Sequence, residues 1–187
     1  KASGTTVTDM EGKDYLDFFG GILTVSLGHC QPEVQEAVAN QMKQLGHVST
    51  LYPTTNIVDL AERLAKLSPG NLKKSFFTSS GTEADETAVL LAKIHTGKSE
   101  IIALRHSYSG RSQLAINMTA HAAWRLMPSS IPGIKHAPSP YCYRCPMGLT
   151  YPSCDIQCAK DIEELIQTET CGQPAAFIAE PIQGVGG

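Results

Sequence analysis

The sequence predicts an α/β fold with a mainly parallel sheet, and three observations carry that prediction. A short apolar run (Ser75-Phe76-Phe77-Thr78), an amphipathic stretch from Glu83 to His95 and a second apolar run from Glu100 to Leu104 follow one another at the spacing of a strand-helix-strand unit. A later apolar run, Ala175 to Ala179, ends at Glu180-Pro181, where proline stops backbone pairing and leaves an acid at the strand's carboxyl end. Between the first strand and its helix lies a small polar turn containing a glycine, the usual way to reverse the chain from a sheet edge onto a covering helix.

In chain order, residues 4–19 alternate polar and apolar through Thr6-Val7-Thr8, turn at Glu11-Gly12-Lys13 and resume as Tyr15-Leu16-Asp17-Phe18-Phe19, which predicts a hairpin. From Pro32 the period lengthens: Val34, Val38, Met42 and Leu45 share one helical face, with Gly46 near its end. A second helix is expected to turn Ile57, Leu60, Ala61, Leu64 and Leu67 inward before stopping at Pro69-Gly70. In the 83–95 helix the inward positions are read as Ala84, Ala88, Leu91 and Ala92. Residues 120–158 are rich in Pro, Ser, Cys and Tyr with weak periodicity, and read as a long excursion over the surface. Asp161 to Thr168 returns to helix, and no internal repeat is visible.

At 187 residues with 42% hydrophobic and 18% charged side chains, the chain can bury a core and is neither disordered nor fibrous. Ile182 to Gly187 follow an apolar strand directly with nothing to close the fold, so a truncated chain is expected. A formal net charge of −3, without any Lys/Arg-rich segment, argues against nucleic acid as a partner. No apolar run approaches the roughly 20 residues of a membrane span, and Lys1-Ala2-Ser3-Gly4 shows no signal-peptide pattern, so a cytoplasmic location is expected.

Chemistry concentrates at Thr78-Ser79-Ser80-Gly81-Thr82-Glu83-Ala84-Asp85-Glu86. Glycine permits close backbone approach, the hydroxyls can donate, and a helix start offers free amides with partial positive charge, which together make a phosphate cradle. An ordinary helix cap explains the same residues, with Thr82 and Asp85 as a capping box. The run lacks both GxGxxG and the GKT or GKS ending of nucleotide-binding loops, which favours a smaller phosphate ligand. Cys142 and Cys145 form C-x2-C, and Cys154 with Cys158 forms C-x3-C; a zinc site, an iron–sulfur cluster, disulfides or four free thiols all fit that spacing. No histidine pair has H-E-x-x-H spacing, so none is assigned as a metal ligand or base.

Ser79-Ser80-Gly81-Thr82-Glu83-Ala84 resembles the phosphate-binding signature of the class III (omega-type) pyridoxal-phosphate-dependent aminotransferases, and further marks occur in the family's order. Asp9 to Phe18 followed by Gly20-Gly21-Ile22 is similar to its opening hairpin, and Gly28-His29 with Pro32 and Val34 to its glycine-histidine-proline step. Phe177-Ile178-Ala179-Glu180-Pro181-Ile182-Gln183-Gly184 is similar to the family's E-P-I-Q-G strand end, so the resemblance spans nearly the whole chain.

The resemblance implies fold type I, with residues 1–25 belonging to a small domain or interface and residues 26–187 to the first part of the large α/β domain. The Cys-rich segment at about 120–158 is an insertion in that domain. It implies pyridoxal 5′-phosphate (PLP) held by Ser80, Gly81 and Thr82, with the Tyr108 ring stacked on the pyridine and Glu180 positioning residues around it. The family commonly has His where Ser109 stands, so Ser109 occupies a cofactor-contact position with different chemistry. Val185 stands where glutamate-handling members carry an acid, which is more like the alanine-glyoxylate and β-amino-acid transaminases. By the same resemblance the Schiff-base lysine lies beyond residue 187, none of the ten lysines here matches it, and these residues alone are expected to be inactive. The intact protein is expected to be a homodimer that exchanges an amino group between a donor such as alanine or a β- or ω-amino acid and an oxo-acid such as pyruvate or glyoxylate. Aminomutase or decarboxylating chemistry on the same frame, and a zinc-binding interaction module built on the four cysteines, are the alternatives.

Overall fold

The computed structural model describes residues 1–128 and 130–186. Gly187, where the fold is expected to stop short, and position 129 of the 120–158 excursion lie outside the described residues. The chain divides into two compact units, the first spanning Lys1–Phe76 and the second beginning at Phe77.

In the first unit, β1 (Ala2–Ser3), β2 (Thr6–Thr8) and β3 (Asp14–Leu16) form an antiparallel sheet in that order, with Val7 opposite Tyr15. The predicted hairpin is thus present, closed at its tip by the Asp9 carboxylate, which accepts the amides of Glu11 and Lys13. One turn, α1 (Gly20–Leu23), is left-handed, with φ from 58 to 62° at all four residues. Glycine adopts this conformation freely, whereas Ile22 and Leu23 hold it at about 1–2 kcal/mol each. Asp17 anchors the turn: its Oδ1 accepts the Phe19 and Gly20 amides, and its Oδ2 lies 2.6 Å from His29 Nε2. The His29 partner is the main reason that the Asp17 carboxyl is held below its usual value. Gly28, at φ +89°, lets the chain pass against Gly4, where a Cβ would meet the Gly4 backbone at 3.2 Å.

Helix α2 (Pro32–Gln44) starts with Gln31 as cap and Pro32 in its first turn, and α3 (Thr55–Leu67) is capped by the Thr54 hydroxyl. Both helices form where the period predicts. Their apolar faces are not covered: Val34, Val38, Met42, Leu45, Ile57, Leu60, Leu64 and Leu67 are 39 to 82% exposed, and none of residues 1–76 is buried. Amphipathic spacing identifies a face that favours burial but not the surface that buries it, and these residues do not supply one. The expectation that Ile57, Leu60, Leu64 and Leu67 face inward is corrected accordingly.

The second unit holds the core. Helix α4 (Gly81–Thr96) leads to β4 (Ile101–Leu104), α5 (Gln113–Met118), β5 (Ile134–Ala137), α6 (Gln157–Glu169) and β6 (Ala176–Ile178). The sheet has the order β5-β4-β6 and both pairings are parallel, Ile101 lying opposite Ile134 on one side and Ala176 on the other. As the central strand, β4 is buried at every residue, which explains its unbroken Ile-Ile-Ala-Leu run. Ile101 and Ala103 pack with Val89, Ala115 and Met118 on one face, while Ile102 and Leu104 pack with Ala137 and Leu165 on the other. The predicted α/β architecture with a parallel sheet is therefore present, helices lying on both faces.

Three local readings are corrected. Residues 75–78 are not a strand, because they pair with no strand among the described residues and a strand needs a hydrogen-bonded neighbour. The surface excursion contains β5, whose Lys135 and His136 disguise it; an edge strand tolerates such residues where a central one does not. In α4 it is Val89 that is buried, at 3% exposure, whereas Ala84, Ala88 and Leu91 are exposed, so the face toward the sheet is displaced from the one read in the sequence.

Candidate active site

The α4 turn is built by its own side chains. Ser80 is the N-cap, its Oγ accepting the Glu83 amide at 3.2 Å, while Glu83 Oε2 accepts the Ser79 amide at 2.8 Å. The capping pair is thus Ser80 with Glu83, not Thr82 with Asp85, because Thr82 and Asp85 already lie inside the helix. The first helical bond runs from the Ala84 amide to the Ser80 carbonyl, and among the described residues the Gly81 and Thr82 amides have no acceptor in the chain. A Cβ built on Gly81 would meet nothing within 4 Å, so the backbone there is open to approach. Cap and anion cradle coexist: Ser80 satisfies one donor and leaves two.

Across from this turn lies the loop after β4. Gly110, at φ +123°, sits against Thr82, where a Cβ would come within 2.1 Å of the Thr82 Oγ1. Only glycine allows that approach. The loop is held from behind: the Ser109 amide donates to Thr119 Oγ1 at 3.0 Å, Thr119 Oγ1 donates to the Ala115 carbonyl, and buried Ser107 donates to the Met118 carbonyl at 2.8 Å. The Tyr108 ring lies half-buried, edge-on to Trp124 with centroids 5.9 Å apart, and its hydroxyl accepts a long 3.5 Å contact from Arg111 Nε.

Glu180 follows β6 at the carboxyl edge of the sheet and is half-buried. Its Oε1 accepts the Tyr108 amide at 3.0 Å and its Oε2 accepts the Gly184 amide at 3.2 Å, tying the loops after β4 and β6 together. The Gln183 side chain adds a 2.9 Å bond to the Arg105 carbonyl. Beside these loops, Leu104, His106, Pro181 and Glu180 border a cavity of about 290 Å³ at the carboxyl ends of the strands, where open parallel sheets place ligands. Asp85, one turn into α4, lies near Ser109, and its carboxyl is pushed above the usual value chiefly by burial. The nearby Glu180 charge pushes it further, while Ser109 opposes both.

Of the residues singled out in the sequence, Thr82 meets the Ser109-Gly110 loop, Tyr108 is bonded to Glu180, and Ser80 and Gly81 share the same helix start. Gly110, Thr119 and Trp124 were not singled out, and Asp85 was read only as a helix-capping residue. Gly110 carried the one available signal, a glycine directly after Tyr108-Ser109; the Asp85 and Thr119 contacts are long-range and have none. Cys142, Cys145, Cys154 and Cys158 line a small cavity that shares Ser139 and Tyr141 with the one beside these loops, and among the described residues no group of three or more His, Cys, Asp or Glu side chains is arranged to hold a metal ion. No helix among the described residues is long and apolar enough to cross a membrane.

Residues 1–187 match the family model described as aminotransferase class-III. An Arabidopsis thaliana protein named alanine–glyoxylate aminotransferase 2 homolog 2, mitochondrial, is 44% identical over 181 residues, which is 96% of this chain and 36% of the relative. The human mitochondrial alanine–glyoxylate aminotransferase 2 is 36% identical over 197 residues, covering 96% of this chain and 38% of its own length. Among solved structures, an (S)-enantioselective omega-transaminase from Thermomicrobium roseum superposes with a TM-score of 0.89 at 36% identity, covering all of this chain and 43% of that one. A PLP-bound amine transaminase from an uncultivated Pseudomonas species superposes at 0.88 with 28% identity, covering all of this chain and 45% of that one. The chain thus spans well under half the length of the relatives it matches.

Proposed function

Because the chain belongs to the class-III aminotransferase family, we propose that the whole protein transfers an amino group with PLP held at the α4 turn. Its fold is the corresponding part of the fold type I found in these enzymes. The observation that carries the proposal is the pair of amides at Gly81 and Thr82, without acceptors among the described residues, at a helix start that Gly110 of the loop after β4 approaches at Thr82.

These residues fit the cofactor. Two amides, the Thr82 hydroxyl and the helix start suit a phosphate monoester, and the bare backbone at Gly81 admits it. Tyr108 offers a ring at the adjacent loop, and Glu180 holds the Tyr108 amide so that the ring's backbone does not drift. Ser109, where the family commonly has His, offers a short hydroxyl in place of an imidazole at the loop position. PLP, when bound, supplies the electron sink that allows an amino acid to lose its α-proton and give up its nitrogen. None of the ten lysines here matches the family's cofactor-bonding lysine, so the proposal has the rest of the whole protein supply it, and residues 1–187 by themselves are expected not to turn over.

The substrate reading is an alanine, β- or ω-amino acid donor with pyruvate or glyoxylate as acceptor. It is supported by Val185 and by the alanine–glyoxylate aminotransferase relatives. A homodimer completing the site, residues 1–25 in a small domain, and a cytoplasmic location are further parts of the proposal; the two relatives' names say mitochondrial, and imaging of the tagged intact protein decides the compartment. The activity is tested by loading the intact protein with PLP, offering L-alanine or β-alanine with pyruvate or glyoxylate, and following products by chromatography. Acceptor-dependent exchange of nitrogen supports the proposal. An isomerised amino acid formed without an acceptor, or release of carbon dioxide, replaces it with aminomutase or decarboxylating chemistry.

A further inference from the structure

The connection between β5 and α6, residues 138–156, is longer than the roughly 12–15 residues beyond which ordered loops without secondary structure become uncommon. Apart from a single 3-10 turn at Cys142–Arg144 it has none. Its local turns present cysteine. The Gly148 amide donates to the Cys145 carbonyl at 3.0 Å with Gly148 at φ +67°, so Cys145-Pro146-Met147-Gly148 doubles back on itself. The Cys154 amide donates to the Thr150 carbonyl at 2.9 Å, and left-handed Asp155 and Ile156 then turn the chain into α6, whose first turn carries Cys158.

These turns bring all four side chains to the wall of one cavity of about 20 Å³, lined otherwise mainly by apolar and aromatic groups such as Tyr141, Leu149 and Tyr151. A space of that size holds roughly one water-sized body. The thiols are free, not paired as disulfides. Helix α6 begins without a side-chain cap, its Gln157 and Ala159 amides donating instead to the Cys154 and Ile156 carbonyls. The hydrogen bonds described for the Tyr108 and Glu180 loops involve no cysteine.

We propose that Cys142, Cys145, Cys154 and Cys158 bind one structural Zn²⁺ that pins the β5–α6 connection. The C-x2-C and C-x3-C pairs supply four sulfur ligands, the number a closed tetrahedral site takes at about 2.3 Å each. The thiols do not already form a ligand set, so binding requires the four residues that line this one cavity to converge on the ion. Each sulfur gives its proton to solvent as its bond to zinc forms, and no electrons are transferred. Disulfides at Cys142–Cys145 and Cys154–Cys158 instead require an oxidant, such as a peroxide or a disulfide of small thiols.

The test uses the intact protein, produced with added zinc and purified under reductant without chelator. Elemental analysis is expected to find about one zinc per chain, falling at least tenfold when Cys145→Ser and Cys154→Ser are combined. Exchange of Co²⁺ into the unmodified protein is expected to give the intense charge-transfer and d–d bands of tetrahedral cobalt thiolate, a readout that survives even if the variant fails to fold. Four thiols that react with a disulfide reagent in zinc-free protein that also shows no cobalt bands overturn the proposal. Intramolecular disulfides found by mass in the protein isolated without reductant overturn it as well. PLP binding is read separately, so failure here leaves the aminotransferase reading standing.

Discussion

Replacing Gly110 by alanine should separate the Tyr108-Ser109 loop from the start of α4. A Cβ at this position would stand 2.1 Å from Thr82 Oγ1, 3.0 Å from Thr82 Cβ and 3.3 Å from Thr82 Cα. Thr82 is β-branched and inside a helix, so its side chain has little freedom to swing away, and the third contact is backbone. Overpacking of this kind costs about 1–3 kcal/mol, and holding an alanine at φ +123° adds strain of about 1–3 kcal/mol. The sum, about 2–6 kcal/mol, is to be read as lost stability in urea unfolding of the intact protein or, if the loop yields, as weakened PLP binding. Gly81→Ala is the partner experiment. Its Cβ meets nothing, so unfolding of the cofactor-free protein should match the parent within about 0.5 kcal/mol, while PLP affinity drops at least about tenfold because the methyl occupies the phosphate's approach. Parent-like stability and PLP affinity in Gly110→Ala, or parent-like PLP affinity in Gly81→Ala, would refute the reasoning.

Thr119→Val keeps the shape of a fully buried side chain but leaves the Ser109 amide without its acceptor, which should destabilise by about 1–3 kcal/mol in the same unfolding assay; no change would mean that the loop is not held from behind. Glu180→Gln removes a like charge near Asp85, so the Asp85 carboxyl should titrate closer to its ordinary 3.8, as carbon NMR of labelled protein can follow. The sign follows from burial: folded Asp85 keeps a proton that the unfolded chain has lost between 3.8 and its raised folded value, so stability falls as pH rises through that window, and Glu180→Gln narrows it. An unmoved Asp85 titration contradicts the coupling. Burial holds His136 below its usual 6.5, so the unfolded chain takes up a proton first on acidification and stability is lost as pH falls from 6.5 toward the lowered folded value. Urea midpoints between about pH 7.5 and 5.5 should decline in the parent and less so in His136→Gln; equal slopes argue against this origin.

Where physics is local, the sequence was readable. The Ile101–Leu104 run could only be a strand buried on both faces, Pro32 and Gly46 bracketed α2, and Glu180-Pro181 marked the carboxyl end of β6. The Ser80-Gly81-Thr82 turn was found because a cap and an anion cradle use the same residue types. What depended on distant partners was not readable. Ser75–Thr78 has strand composition but no strand beside it among the described residues, and Ile134–Ala137 looks polar because its Lys and His sit in an edge strand. Helix α5 is too short to show a period, although Ala115 to Met118 are all buried. Asp85 read as a capping residue until the fold brought Ser109 and Glu180 to it.

The central claim is that the α4 turn is the anchor for the cofactor phosphate, and a crystal structure of the intact protein with PLP tests it most directly. Phosphate oxygens are predicted within about 3.2 Å of the Gly81 and Thr82 amides, with the Tyr108 ring beside the pyridine. A phosphate bound elsewhere, with those two amides facing only solvent, would contradict the account.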